Sequence, residues 1–180
     1  TDRLNFGSDL VYDKASDTFY GMTDRGPGGG LESFQPRVEA FKVTFGAGNA
    51  PVAFALQKTV LFTNTAGQAL NGLNPTLLNG NVSTLGNSFD SEGLVLMKNG
   101  HYLVADEYGP VLIQFSAEGK ELKRFELLDY FLVANPDADK KKENLANTSG
   151  RASNRGMECL ALSADGTKLV GLMQSALIQD

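Results

Sequence analysis

An all-β fold, specifically a β-propeller of four-stranded antiparallel blades, is what the sequence predicts, and three observations predict it. Period-2 alternation and turn residues dominate the chain, while long helical stripes are nearly absent. An acid-bearing phrase recurs at the head of a strand pair. Ser91-Glu92-Gly93-Leu94-Val95-Leu96 leads through Asn99-Gly100 into His101-Tyr102-Leu103-Val104. Met157-Glu158-Cys159-Leu160-Ala161-Leu162 leads through Asp165-Gly166 into Thr167-Lys168-Leu169-Val170, without a gap between the copies. Finally, a looser copy, Ser8-Asp9-Leu10-Val11-Tyr12-Asp13 followed by Phe19-Tyr20-Gly21-Met22, opens the chain. Four strands in about 40–50 residues is the spacing of propeller blades.

The elements follow in order. Leu10 to Tyr12 and Phe19 to Thr23 form a hairpin across Asp13-Lys14-Ala15-Ser16-Asp17. Arg37 to Phe45 alternates as a third strand, and Ala53 to Phe62 is the fourth, reached through Gly46-Ala47-Gly48-Asn49. Thr63 to Asn87, rich in Asn, Gly and Thr, reads as a long loop with a covering or functional role. Gly93 to Met97, His101 to Asp106, Val111 to Phe115 and Glu121 to Leu127 supply the next four strands. Asn99-Gly100 between apolar runs is the strongest short hairpin signal. Glu121 to Val133 also fits an amphipathic helix, but the Glu118-Gly119-Lys120 turn favours a strand as far as Leu127. Cys159 to Ser163 and Lys168 to Met173 are the last two strands.

Residues 1–180 are thus expected to be part of a single propeller domain. Its units are about 4–62, 89–133 and 154–180, with loops at 63–88 and 134–153. A closed propeller takes at least four blades, and two and a half are present. The expectation is therefore a fragment or a nicked chain whose partner is the remainder of the propeller. A small β-sandwich is the alternative.

Composition limits the function. A hydrophobic content of 42% supports one real core, and a net charge of −5 with no basic stripe excludes nucleic acid. No run approaches the ~18 apolar residues of a membrane span. The opening Thr1-Asp2-Arg3 fits a processed or trimmed product. Asp139-Lys140-Lys141-Lys142-Glu143 reads as a solvated loop, and Cys159, the one cysteine, as a buried inert thiol. Asn81-Val82-Ser83 and Asn147-Thr148-Ser149 are formal glycosylation sequons, and Gly28-Gly29-Gly30 a flexible insertion. His101 reads as an ordinary strand residue.

The chemistry lies in acids at strand ends beside glycine. Thr23-Asp24-Arg25-Gly26-Pro27 ends the second strand, and Phe89-Asp90-Ser91-Glu92-Gly93 opens the second unit. Asp106-Glu107-Tyr108-Gly109-Pro110 closes that unit's second strand, and Asn154-Arg155-Gly156-Met157-Glu158 opens the third unit. Carboxylates converging at one channel mouth repel unless a cation or protons offset them. Hard oxygen ligands suit Ca²⁺ or Mg²⁺. Arg25 and Arg155 beside them serve either to neutralise carboxylates or to hold a phosphate.

With Gly7-Ser8-Asp9-Leu10 and the tail Gly171-Leu172-Met173-Gln174-Ser175, these phrases resemble the phytase-like family, described as having esterase-like activity of phytase. The resemblance covers nearly the whole chain but only the front part of a typical member. It implies a propeller, export to the periplasm or outside the cell, and calcium dependence. Asp24, Glu92, Asp106, Glu107 and Glu158 carry over as the acidic set, beside Arg25 and Arg155. Asp9 and Cys159 stand where the family commonly has glycine.

The leading expectation is a metal-dependent hydrolase of a small phosphoester, with phosphodiesterase-like chemistry. Asp24, Glu92, Asp106 and Glu158 hold Ca²⁺ (or Mg²⁺), Arg25 or Arg155 holds the phosphate, and Glu107 is the general base. Two alternatives are a non-catalytic propeller binding module with a structural cation and a calcium-assisted lactonase or esterase. The loop from Thr63 to Asn87 has no basic residue, which argues for a substrate less charged than phytate.

Overall fold

The computed structural model of the protein describes residues 6–82 and 84–180, the side chain of Asn49 apart. Thr1-Asp2-Arg3 and Ser83 of the first sequon lie outside the described residues. Ten strands form three antiparallel sheets of four, four and two strands. β1 (Asp9–Asp13), β2 (Thr18–Met22), β3 (Arg37–Phe45) and β4 (Pro51–Leu61) pair in chain order. So do β5 (Ser91–Leu96), β6 (Tyr102–Asp106), β7 (Val111–Phe115) and β8 (Glu121–Glu126). β9 (Met157–Leu162) pairs with β10 (Leu169–Met173). The all-β expectation holds; among the described residues these sheets form no closed ring.

Period-2 alternation explains the strands, and turn chemistry sets their joints. Gly100, Gly119 and Gly166 each carry a positive φ, between 73° and 86°, at the tip of a hairpin. Met22 and Val38 from the first sheet meet Val104, Ile113 and Phe115 from the second in one buried core. Phe62, Leu70 and Phe89, from the stretch joining the two sheets, fill it. The Phe62 ring stacks 4.2 Å from Phe115 and meets Phe89 edge-on at 5.7 Å. Phe62 is fully buried, so emptying its site would cost about 3–5 kcal/mol. The long loop is thus a cover: its own Leu70, Val82 and Leu85 are buried in that core.

The leading strands of the three sheets lie side by side, β1 against β5 and β5 against β9. Ser8 meets Glu92 while Asp9 meets Leu94, so β1 and β5 run in the same direction. Gly93 permits the β5–β9 approach, because a Cβ there would sit 2.5 Å from the Leu160 nitrogen. Val95, Leu103 and Ala105 pack with Met157 and Leu160 in the seam.

Two sequence expectations need correction. The charged run at 139–143 is not a loop: Asp139 caps the helix α1 (Lys140–Ala146), accepting from the Lys141 and Lys142 amides at 2.9 and 3.1 Å. Glu143 in that helix is buried, because it is paired, not solvated. Cys159 is exposed, not buried. The second sheet covers one face of β9, where Leu160 packs with Val95 and Leu103, and Cys159 falls on the uncovered one. At β8 the strand reading wins over the helix, with a 3-10 turn only at Asp129–Phe131.

Candidate functional site

The acids gather where the turn after β2 meets the start of β5. Two bonds between side chain and backbone stitch that junction. Ser91 Oγ donates to the Thr23 carbonyl at 2.6 Å, and the Arg25 amide donates to Asp90 Oδ1 at 3.0 Å. Gly72 packs so tightly under Arg25 that a Cβ would overlap the Arg25 carbonyl. Asp24, just beyond β2, accepts the Gly26 amide at 2.6 Å in a turn where Gly26 has φ +84°. From these constraints one oxygen each of Asp24, Asp90 and Glu92 falls within 4.8 Å of the others.

Arg25 is the local counter-charge. Its Nη1 lies 2.7 Å from Asp90 Oδ2 and 3.8 Å from Glu107 Oε2. Neither Asp90 Oδ2 nor Arg25 Nε has an aligned hydrogen-bond partner. Burial opposes the charge of Arg25, but Asp90, Tyr108 and Glu107 outweigh it and raise its pKa. One guanidinium does not balance the acids. Burial pushes Glu92 up to about 8; the Ser8 hydroxyl pulls the other way, and Glu107, Glu158 and Asp24 add to the rise. Asp90 is raised well above the ordinary value, first by burial and against the pull of Arg25. Glu158 is raised by burial and by Glu107, and its Oε2 is buried without a partner. A cluster this short of positive charge accepts either protons or a cation.

The expected site residues fall into four groups. Asp24 and Glu92 converge with Asp90, while Arg25, Glu107 and Glu158 surround them electrostatically. Asp106 stands apart. It is fully buried, with Oδ1 accepting the Asp90 amide at 2.8 Å and Oδ2 the Gly109 amide at 3.1 Å, so it shapes the β5–β6 junction. Burial pushes its pKa up to about 7 against those bonds. Arg155 is exposed and, among the described residues, lies within ion-pair distance of no acid, though its charge still lowers Glu158.

Sequence reasoning did not single out Asp90 as a site residue, although Asp90 and Glu92 stand two apart, the spacing that puts both on one strand face. It also missed the frame behind Arg25. The Arg25 guanidinium lies 5.8 Å from the Tyr108 ring centre, and Tyr108 Oη donates to the Gly72 carbonyl at 2.5 Å. Arg151 Nε donates to the Tyr108 carbonyl at 2.7 Å, while its Nη1 pairs with Glu143 Oε1 at 2.7 Å. Such a link from a loop residue to a helix leaves no local sequence pattern.

Comparison with known proteins adds a family. The phytase-like family, described as esterase-like activity of phytase, matches residues 4–180. An uncharacterized secreted protein of Arthroderma benhamiae is 36% identical over 106 residues, covering 52% of this chain and 21% of that protein. The chain therefore spans about a fifth of the length of that curated relative. No solved structure matches it. Among the described residues no helix is long and apolar enough to cross a membrane.

Proposed function

The chain belongs to the phytase-like family, and from that premise we propose that it is part of an exported β-propeller hydrolase that cleaves phosphoric esters with the help of Ca²⁺. The convergence of Asp24, Asp90 and Glu92 within 4.8 Å, around a single arginine, is the observation that carries this reading. The side-by-side leading strands β1, β5 and β9 support the radial arrangement. The secreted relative supports export.

The donor set fits a hard dication: three carboxylates offering oxygen, one of them with an oxygen lacking an aligned donor, and no competing thiolate. Asp24, Asp90 and Glu92 are the residues that would hold it. When bound, the ion supplies a Lewis acid and lowers the pKa of bound water. Arg25 is the cation beside the acids that would meet a phosphoryl group, and Asp90, Tyr108 and Glu107 hold it there. Glu107, only 1% exposed, is better placed to orient Arg25 than to reach water. Glu158, half-buried with a raised pKa, is the better proton carrier. Asp106 builds the junction, and Arg155 is free to meet an incoming anion.

A structural cation is the second reading, favoured by one observation: Asp24 sits in the β2–β3 connection of the first sheet, whereas Asp90 and Glu92 lead the second, so an ion there would tie the sheets together. Calcium calorimetry on the full-length protein separates the readings, run beside a chromogenic phosphodiester assay with and without chelator. Binding with chelator-sensitive turnover is expected. Binding without turnover would leave the structural cation, and no binding would overturn both.

A further inference from the structure

At the opposite end of β1 and β5 from the acids, a second cleft opens between the first two sheets. Its volume is about 670 Å³. The acid site sits at the start of these strands, around Ser8, Asp24 and Glu92, whereas the cleft is lined by Asp13 at the end of β1 and by Leu96 at the end of β5. At about 3.3 Å per residue the two sites are on the order of 15 Å apart.

The lining has a recognisable chemistry. Tyr20 and Tyr102 form the inner wall, their rings 6.3 Å apart and tilted by 56°, with Leu96 beside them. Burial, then Tyr20 and Glu118, push Tyr102 up to about 12, so its phenol keeps its proton and remains a donor. Lys42, Lys58 and Lys98 complete the cleft. Lys58 is fixed there, its Nζ donating 2.9 Å to the Ala117 carbonyl across the gap between sheets. Among the described residues, Lys42 and Lys98 have no carboxylate within ion-pair distance. Asp13, the acid in the lining, spends its carboxylate on the Ala15 amide at 3.0 Å and the Ser16 hydroxyl at 2.6 Å. Glu118 is the second acid nearby, and it does not line the cleft.

Three ammonium groups around an aromatic pocket stand out in a chain of net charge −5. We propose that this cleft is a second binding site, for a small organic anion with an apolar or aromatic body, such as an aryl phosphate or phosphonate. The body packs on Tyr20, Tyr102 and Leu96, and the anionic head takes donors from Lys42, Lys98 and the phenols. This inference stands independently of the calcium-dependent reading of the acid site.

The test is calorimetry of benzylphosphonate, which no esterase can cleave, on the full-length protein in chelator, with benzyl alcohol as the neutral control. Binding that weakens as salt rises is expected, with benzyl alcohol far weaker. Lys42→Ala with Lys98→Ala, both exposed residues, should weaken it by about tenfold or more, whereas Asp24→Asn at the other end should leave it unchanged. Full affinity in the double lysine variant, equal binding of benzyl alcohol, or no binding at millimolar ligand would each overturn the proposal. Loss of binding in Asp24→Asn but not in the lysine variant would move the anion to the acid site and overturn it equally.

Discussion

Two arginine–carboxylate pairs, each closed at 2.7 Å, serve different ends in this molecule. Arg151 and Glu143 match one charge to one charge. Glu143 Oε2 is also taken, by the Asp137 amide at 3.0 Å, and Arg151 also binds the carbonyls of Tyr108 and Ala152. Arg25 and Asp90, in contrast, sit among Asp24, Glu92, Glu107 and Glu158, with the guanidinium Nε and one Asp90 oxygen lacking aligned partners. A satisfied pair fixes a conformation; an unbalanced one leaves charge that protons or a cation would offset. That contrast separates scaffold from site more sharply than burial does.

The largest expected effect tests the satisfied pair. Glu143→Gln removes one member and leaves Arg151 uncompensated, so thermal or urea unfolding should show a loss of about 3–5 kcal/mol. Asp90→Asn should leave stability within about 1 kcal/mol, because it removes one of several repelling charges, while calcium affinity measured by calorimetry falls about tenfold or more. Equal destabilisation in both variants would erase the distinction between the pairs.

The next effect is on pH. In the folded state Glu92 has a pKa of about 8, against an ordinary 4.5, so between those values the folded chain keeps a proton the unfolded one has released. The stability this contributes is fully present below about pH 4.5 and is lost as pH rises through 8. Melting temperature in chelator should therefore fall from pH 5 to 8. Glu92→Gln should flatten that slope, and saturating calcium should oppose it; a slope unchanged by Glu92→Gln would assign it to the other raised acids, Asp90, Asp106 and Glu158, which give the same sign. The smallest effect belongs to Ser8→Ala. Ser8 Oγ donates to Glu92 Oε2 and lowers its pKa, so the variant should move the midpoint of the pH dependence upward.

The same contrast explains what was legible in the sequence. Strands were readable because alternation and glycine turns are local: Arg37–Phe45 and Val111–Phe115 match their expected bounds. Asp24 and Glu92 were expected because acids recur near glycine at strand ends, and the fold brings their oxygens together. Asp90 escaped because the repeat draws the eye to Glu92 and Glu158, although its spacing from Glu92 was a usable clue. Helix α1 was hidden by its charge, yet Asp139 before Lys140-Lys141-Lys142-Glu143 is a fair N-cap signal. The partnership of Glu143 with Arg151, and the use of both Asp106 oxygens by backbone amides, depend on chain segments meeting in space, and no spacing rule encodes them.

Asn147 carries a consequence of a different kind. It heads the sequon Asn147-Thr148-Ser149, yet the folded chain buries it: its Oδ1 accepts the Asn135 amide at 2.9 Å, and its Nδ2 donates to the carbonyls of Asn135 and Glu143 at 2.9 and 2.7 Å. In a secretory compartment with oligosaccharide transfer, sugar attachment and folding would compete for one nitrogen. A chain that closes α1 first stays bare at 147. A chain glycosylated first loses the lock between Asn135 and Glu143, so intact mass would record which of the two events came first.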